Sequence, residues 1–256
     1  MERLVTEKYE SLMAANCDNF SEEFENFMIH MRDVSKIYED TGAVALDHVN
    51  VDIGQGEFVF IVGASGAGKS TFIRMLFREV LPSSGDLEVN GHDVVRMDAS
   101  DVPYLRRGLG VIFQDYRLLP DKTVFENVAF AMQVIEAPRR IMQRSVNSVL
   151  DIVGLRDKYK SFPSQLSGGE QQRVAIARAI VNDPAIVIAD EPTGNLDPET
   201  SWDIMDIFQR INSAGTTIVM ATHDKTVVDM MQRRVIAIED GRIVRDEARG
   251  VYGYET

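Results

Sequence analysis

Three short stretches of this chain are apolar almost without interruption: Glu57-Phe-Val-Phe-Ile-Val62, Ala185-Ile-Val-Ile-Ala189 and Thr216-Thr-Ile-Val-Met-Ala221. Continuous rather than alternating apolar runs of this length fit strands covered on both faces, as in a parallel sheet. Gly110-Val-Ile-Phe113 is a shorter candidate of the same kind. Elsewhere the period changes. Met142, Val146, Val149, Leu150 and Val153 recur at helical spacing, and Gly154 supplies a stop. Helical sequence also runs from Lys69 to Glu79 and from Gly168 to about Val181, while Asp197-Pro198 reads as a cap followed by proline at the first helical position. Hairpins are expected around Asn90-Gly91 and Asp240-Gly241. Strands alternating with helices predict an α/β fold: a central, mostly parallel sheet, an antiparallel β subdomain, and a helical subdomain over about 115–165.

Residues 1–27 do not share this patterning. They are rich in acids (Glu2, Glu7, Glu10, Asp18, Glu22, Glu23, Glu25) and show little sustained periodicity, so an extension or weak helix outside the core is expected. Ordered sequence is expected from Met28, giving one domain over 28–256. The length of 256 residues suits such a domain, and 45% apolar with 26% charged residues is ordinary for a globular protein. A formal charge of −13 argues against broad nucleic-acid binding. No apolar run approaches the roughly 20 residues that cross a bilayer, and no secretion signal opens the chain. Any membrane role is therefore expected to come through a partner. Cys17 is the only cysteine, which fits a reducing compartment.

The strand ending at Val62 runs into Gly63, Ala64, Ser65, Gly66, Ala67, Gly68, Lys69, Ser70 and Thr71, and then into a helix. This strand–loop–helix order with glycines at 63 and 68 is the phosphate-loop pattern. Glycines let backbone N–H groups wrap phosphates without Cβ clashes, and the helix start favours negative charge. Lys69 is expected on the terminal phosphates of ATP and the Ser70 hydroxyl on Mg²⁺. Asp190 and Glu191 follow another buried strand, where open α/β sheets bind ligands. Asp190 is expected to hold Mg²⁺ through water, and Glu191 to orient and polarise the attacking water. Ser167 and Glu170 form a capping box, but Gly168 and Gly169 are poor choices for a first helical turn. A helix start free of side chains suits contact with a phosphate.

The run Leu166-Ser167-Gly168-Gly169-Glu170-Gln-Gln-Arg-Val-Ala-Ile-Ala-Arg178 resembles the signature of the ATP-binding-cassette ATPases, and the phosphate loop precedes it in that family's order. The resemblance covers about residue 28 to the C-terminus. It implies that Tyr38 stacks on adenine, that Gln114 senses Mg²⁺ and the attacking water, that Asn195-Leu196-Asp197 crosses a dimer interface, and that His223 contacts the γ-phosphate. It also implies a homodimer in which Ser167 and Gly169 of one copy act on ATP held by the other. His30, His48 and His92 have no such context and read as structural.

Within the family, Val111-Ile-Phe-Gln-Asp-Tyr-Arg-Leu-Leu-Pro120, Thr123-Val-Phe-Glu-Asn-Val-Ala-Phe130 and Asp190 to Trp202 are similar to the cell-division branch. That likeness implies an FtsX-like integral membrane partner, peripheral placement on the cytoplasmic face of the membrane at the division site, and control of cell-wall hydrolases. Tyr116, Leu118, Leu119 and Phe125 are candidates for the partner's groove. The alternative is the ATPase of a lipoprotein- or drug-exporting transporter. A soluble regulator of ribosomes or DNA repair is disfavoured by the single cassette and acidic charge, and a catalytically dead scaffold by the presence of Glu191 and His223.

Overall fold

A computed structural model of the chain describes residues 27–253. The extension expected over residues 1–27 lies outside them except for Phe27, as does Cys17. Four strands form an antiparallel sheet: β1 (Phe27–Tyr38), β2 (Ala43–Gly54), β4 (Ser84–Val89) and β5 (His92–Asp93), in the order β2-β1-β4-β5. Six form the other sheet, in the order β10-β9-β3-β8-β7-β6. These are β3 (Phe58–Val62), β6 (Leu109–Ile112), β7 (Ile186–Asp190), β8 (Thr217–Ala221), β9 (Arg234–Glu239) and β10 (Arg242–Glu247). All neighbours in the larger sheet are parallel except β9 and β10. The helices are α1 (Lys69–Leu76), α2 (Val102–Arg107), α3 (Val124–Val134), α4 (Arg139–Ile152), α5 (Gly168–Ile180), α6 (Pro198–Ser213) and α7 (Lys225–Met231).

The unbroken apolar runs are explained by two cores, one on each face of the larger sheet. Along β3, Phe58, Phe60 and Val62 enter one core and Val59 and Ile61 the other. Strand β8 splits in the same way, with Ile218 and Met220 on one side and Val219 and Ala221 on the other. Phe60 is fully buried, a side chain whose removal from water is worth about 1.5–3 kcal/mol. The first core is closed by residues of α3 to α7, the second by α1 and the antiparallel sheet.

The expected elements are present with shifted ends. The first helix stops at Leu76 rather than Glu79, with Arg78 at φ 53° in the turn that follows. Asn90 and Gly91 both have positive φ and close the β4–β5 hairpin. Gly154, at φ 68°, follows the last residue of the α4 cap. Residues 113–123 form a loop before α3, so helix starts later than position 115.

Candidate active site

Register sets the site. Ala221 of β8 lies opposite both Ile61 of β3 and Asp190 of β7, and Ala189 of β7 opposite Ile112 of β6. The carboxyl ends of four parallel strands are thus level. Gly63, Gln114, Glu191 and His223 each follow their strand by one or two residues, at the edge where such sheets bind ligands. The parallel pairing places the four together though they are spread over 160 positions of sequence.

The phosphate loop is held by close backbone contacts. Gly63 has φ 148° and Gly68 φ 114°; a Cβ on them would sit 2.2 Å from the Ile238 carbonyl oxygen and 2.3 Å from that of Ala45. Side chains fit at neither place. Ala64, Ser65 and Gly66 are exposed at the loop's tip, while Ala67 and Gly68 are buried beneath it. Lys69 is buried, and its Nζ donates to the carbonyls of Gly63 at 2.8 Å and Ala64 at 3.0 Å. Ser70 is exposed on the first turn of α1, and the Thr71 Oγ1 lies 3.2 Å from the Tyr38 hydroxyl. That contact places Tyr38, from the end of β1, beside the loop.

Opposite the loop, Glu191 has φ 48° and its N–H donates to the Ala221 carbonyl at 2.9 Å. This turns the chain sharply after Asp190. The His223 Nδ1 lies 3.0 Å from Glu191 Oε1. Gly194 adjoins both the Glu191 carboxylate and the Gln114 amide, each 3.5 Å from where its Cβ would be, and the Asn195 side chain reaches the Gln114 carbonyl at 3.5 Å. Burial pushes the Asp190 carboxyl above its ordinary value; the Glu191 charge adds to this, while Arg74, Lys69 and Arg117 oppose it.

The α5 start is a complete capping box. The Glu170 N–H donates to Ser167 Oγ at 3.2 Å, and the Ser167 N–H to Glu170 Oε2 at 2.9 Å. That backbone bond, helped by Lys158, holds the Glu170 carboxyl below its usual range. Ser167 and Gly168 are exposed, but Gly169 is buried: its Cβ would lie 2.3 Å from Thr200 Cγ2. Gly169 therefore has a packing reason that the sequence did not disclose. Thr200 in turn donates its hydroxyl to Asp197 at 2.6 Å and its N–H at 3.0 Å, capping α6 and lowering the Asp197 carboxyl.

The family model for ABC transporters matches residues 46–194. The chain belongs to the ATP-binding-cassette ATPases. Relatives place it in the FtsE family. The cell division ATP-binding protein FtsE of Streptococcus pneumoniae is 60% identical, covering 89% of this chain and 99% of the relative. FtsE of Bacillus subtilis is 56% identical over 88% and 99%, and FtsE of Escherichia coli 46% over 84% and 97%. Among solved structures, the ATP-binding cassette MJ0796, a dimer bound to ADP and Pi, has a TM-score of 0.79 and 33% identity, covering 89% of this chain and all of that one. CbiO1 of Clostridium perfringens, part of the cbiONQ transporter complex, has a TM-score of 0.81 and 29% identity, over 88% and 90%.

Two further cations line this ABC site. An open cleft of about 300 Å³ beside Asp190 and Gln114 is bordered by Arg74 and Arg117. Arg74 follows Ser70 by one helical turn, a spacing that puts both on one side of α1 and was available from sequence. Arg117 carried no such signal. Its guanidinium lies 3.7 Å from the Phe113 ring centre, and its backbone has φ 47°. The half-buried Arg178 near the end of α5 donates to the carbonyls of Tyr116 and Arg117 at 2.7 and 2.6 Å. The signature helix and the Gln114 loop are thus tied together. His48 pairs with Asp33 and His30 with Asp52, both in the antiparallel sheet, and His92 lies in β5.

Proposed function

We propose that this ATPase hydrolyses ATP between two copies of the chain and transmits their closing and opening to an integral membrane partner of the FtsX type. The observation that carries the reading is the meeting of the phosphate loop, Asp190, Glu191 and His223 at level strand ends, with Glu191 braced by His223. Residues 63–71 cradle the β- and γ-phosphates, and Tyr38 stacks on adenine. Lys69 Nζ exchanges its two carbonyl partners for phosphate oxygens. Glu191 polarises the water that attacks the γ-phosphorus in line, Gln114 positions that water, and His223 holds Glu191 while its exposed ring meets the γ-phosphate. Ser70, Gln114 and Asp190 form an all-oxygen donor set suited to a hard cation. Mg²⁺ held there would neutralise charge on the phosphates. Ser167, Gly168, Gly169 and Glu170 of the second copy cover the nucleotide, with Asp197 at the interface. The dimeric MJ0796 cassette bound to ADP and Pi supports this two-copy arrangement.

The domain carrying this chemistry spans 28–256, with a helical subdomain over 115–165 that continues into α5. Among the described residues no helix is long and apolar enough to cross a membrane; the FtsE likeness is what supports peripheral attachment at the cytoplasmic face, at the division site. The FtsE relatives, matched over nearly their whole length, favour division over export. Near the Gln114 loop, Leu118 and Phe125 pack on the core, whereas Tyr159 and Phe162 are exposed at 41% each. Tyr159 accepts the Phe125 N–H at 3.0 Å, so these aromatics border the groove assigned to the partner. Mixing two inactive chains tests the shared site. Lys69→Ala and Ser167→Arg together restore one intact composite site per mixed dimer, so ATP turnover should recover on mixing. No recovery would mean that each site is built within one chain.

A further inference from the structure

A second concave surface lies away from the strand ends. The C-terminal ends of α5 and α6 and one side of α4 enclose a mostly apolar cleft of about 710 Å³. Helix α4 has two stripes. Val146, Val149 and Leu150 are buried in the core, while Ile141, Ser145, Ser148 and Ile152 line the cleft, with Ile141 50% and Ile152 39% exposed. Arg144 and Arg210 stand on its walls, with one acid, Asp183. Arg210 is paired with Asp206 at 3.1 Å, but Arg144 has no ion pair among the described residues.

We propose that the acidic segment preceding Phe27 docks in this cleft of its own chain. The described chain begins close to the cleft. Phe27 pairs with Gly54, and two residues on the Gly56 N–H donates to Thr217 Oγ1 at 2.9 Å. The Asn212 side chain bridges the Gly56 and Thr216 carbonyls at 2.9 Å each, and Thr216 lines the cleft. Phe27 therefore lies at the cleft's end of the molecule. The segment's 26 residues reach about 85 Å when extended, against about 21 Å for the 14 residues of α4. Segment and cleft also complement each other in charge and apolar surface. The segment carries Glu2, Glu7, Glu10, Asp18, Glu22, Glu23 and Glu25 against Arg3 and Lys8, facing a cleft lined by two cations, Arg144 and Arg210, and one acid, Asp183. Val5, Tyr9, Leu12 and Met13 provide apolar groups at helical spacing for the isoleucines. Finally, 89% of this chain accounts for 99% of the pneumococcal relative, so about a tenth of the chain has no counterpart there.

Cys17 is the chain's only cysteine and lies inside the segment, so a maleimide-benzophenone placed on it probes docking in the unaltered full-length protein. Illumination followed by peptide mass spectrometry should find most cross-links in Arg139–Ile152 and in residues 210–216. A mixture of isotopically heavy and light protein should show them within one chain. Charge reversal at the exposed Arg144, alone and with Arg210→Glu, should cut their yield several-fold while circular dichroism stays unchanged. Cross-links scattered over other elements, cross-links joining heavy to light chains, or yields unmoved by both reversals would each overturn the proposal.

Discussion

The phosphate loop and the start of α5 are both glycine-bearing entries to a helix, yet their glycines answer to different constraints. At Gly63 and Gly68 the backbone has positive φ, and fixed carbonyl oxygens stand 2.2–2.3 Å from any Cβ. The loop would not close with other residues. At Gly169 the obstacle is a single methyl, Thr200 Cγ2, and φ is ordinary. At Gly168 the nearest atom is the Tyr116 hydroxyl at 3.3 Å, and the residue is exposed. The chain's own fold makes a strong demand for the first pair, a moderate one for Gly169, and almost none for Gly168. In the proposed two-copy arrangement, position 168 is where a second copy and its nucleotide would approach.

Chemistry tests the loop side first. Glu191→Gln keeps the volume and the strand-end turn but removes the basic oxygen. ATP turnover should fall by about 10²–10⁴-fold, while ATP binding persists and a dimer accumulates. Turnover assays and sedimentation with ATP and Mg²⁺ check both parts; a variant that stays monomeric would detach Glu191 from the closing step. Lys69→Ala removes a charge-assisted donor that is now satisfied by Gly63 and Ala64. At about 1.5–3 kcal/mol for such bonds, ATP affinity should drop roughly 10- to 150-fold in calorimetry, and an unchanged affinity would remove Lys69 from the phosphates.

Gly68→Ala addresses the fold itself. With φ at 114° and the Ala45 oxygen in the way, the strain should cost about 1–3 kcal/mol, or about 2–4 °C of Tm for each. An unaltered melting curve would show that the loop yields, and would erase the contrast with α5.

Asp190 adds a pH dependence. Burial raises its carboxyl in the folded chain. Below the ordinary carboxylate range both folded and unfolded states are protonated and no penalty exists. As pH rises through the ordinary value toward the folded one, the unfolded chain ionises first, so stability is lost across that window and stays lost above it. Asp190→Asn should therefore raise the nucleotide-free Tm at neutral pH, on the order of a few degrees, and the gain should vanish in acid. A gain independent of pH would trace to something other than the buried charge.

Much of this was legible in the sequence, for identifiable reasons. Continuous apolar runs announced the doubly covered strands, Asn90-Gly91 and Gly154 announced their turns, and the phosphate loop sat in its strand–helix setting. Less was legible where long-range packing decides. Thr200 meeting Gly169, Arg178 clamping the Gln114 loop, and Arg117 lying over Phe113 depend on elements far apart in sequence. The helix expected to reach Glu79 ends at Leu76 because Arg78 enters the left-handed region, and its guanidinium bonds the Met97 carbonyl at 2.8 Å. No local pattern encodes that partner.

Gly168→Ala brings the comparison to its finest point. In an isolated chain the added methyl meets only the tip of a tyrosine, and alanine is the better helix former by up to about 1 kcal/mol. Position 168 is at the first helical turn, where that gain is smaller, so the Tm should stay level or rise slightly. If the exposed start of α5 approaches a nucleotide held by another copy, the same methyl should lower ATP turnover while ATP binding to single chains is untouched. Thermal melts and turnover on one preparation separate these effects. Lower stability would mean the fold does require glycine here, and wild-type turnover would leave the bare helix start without a function across the interface.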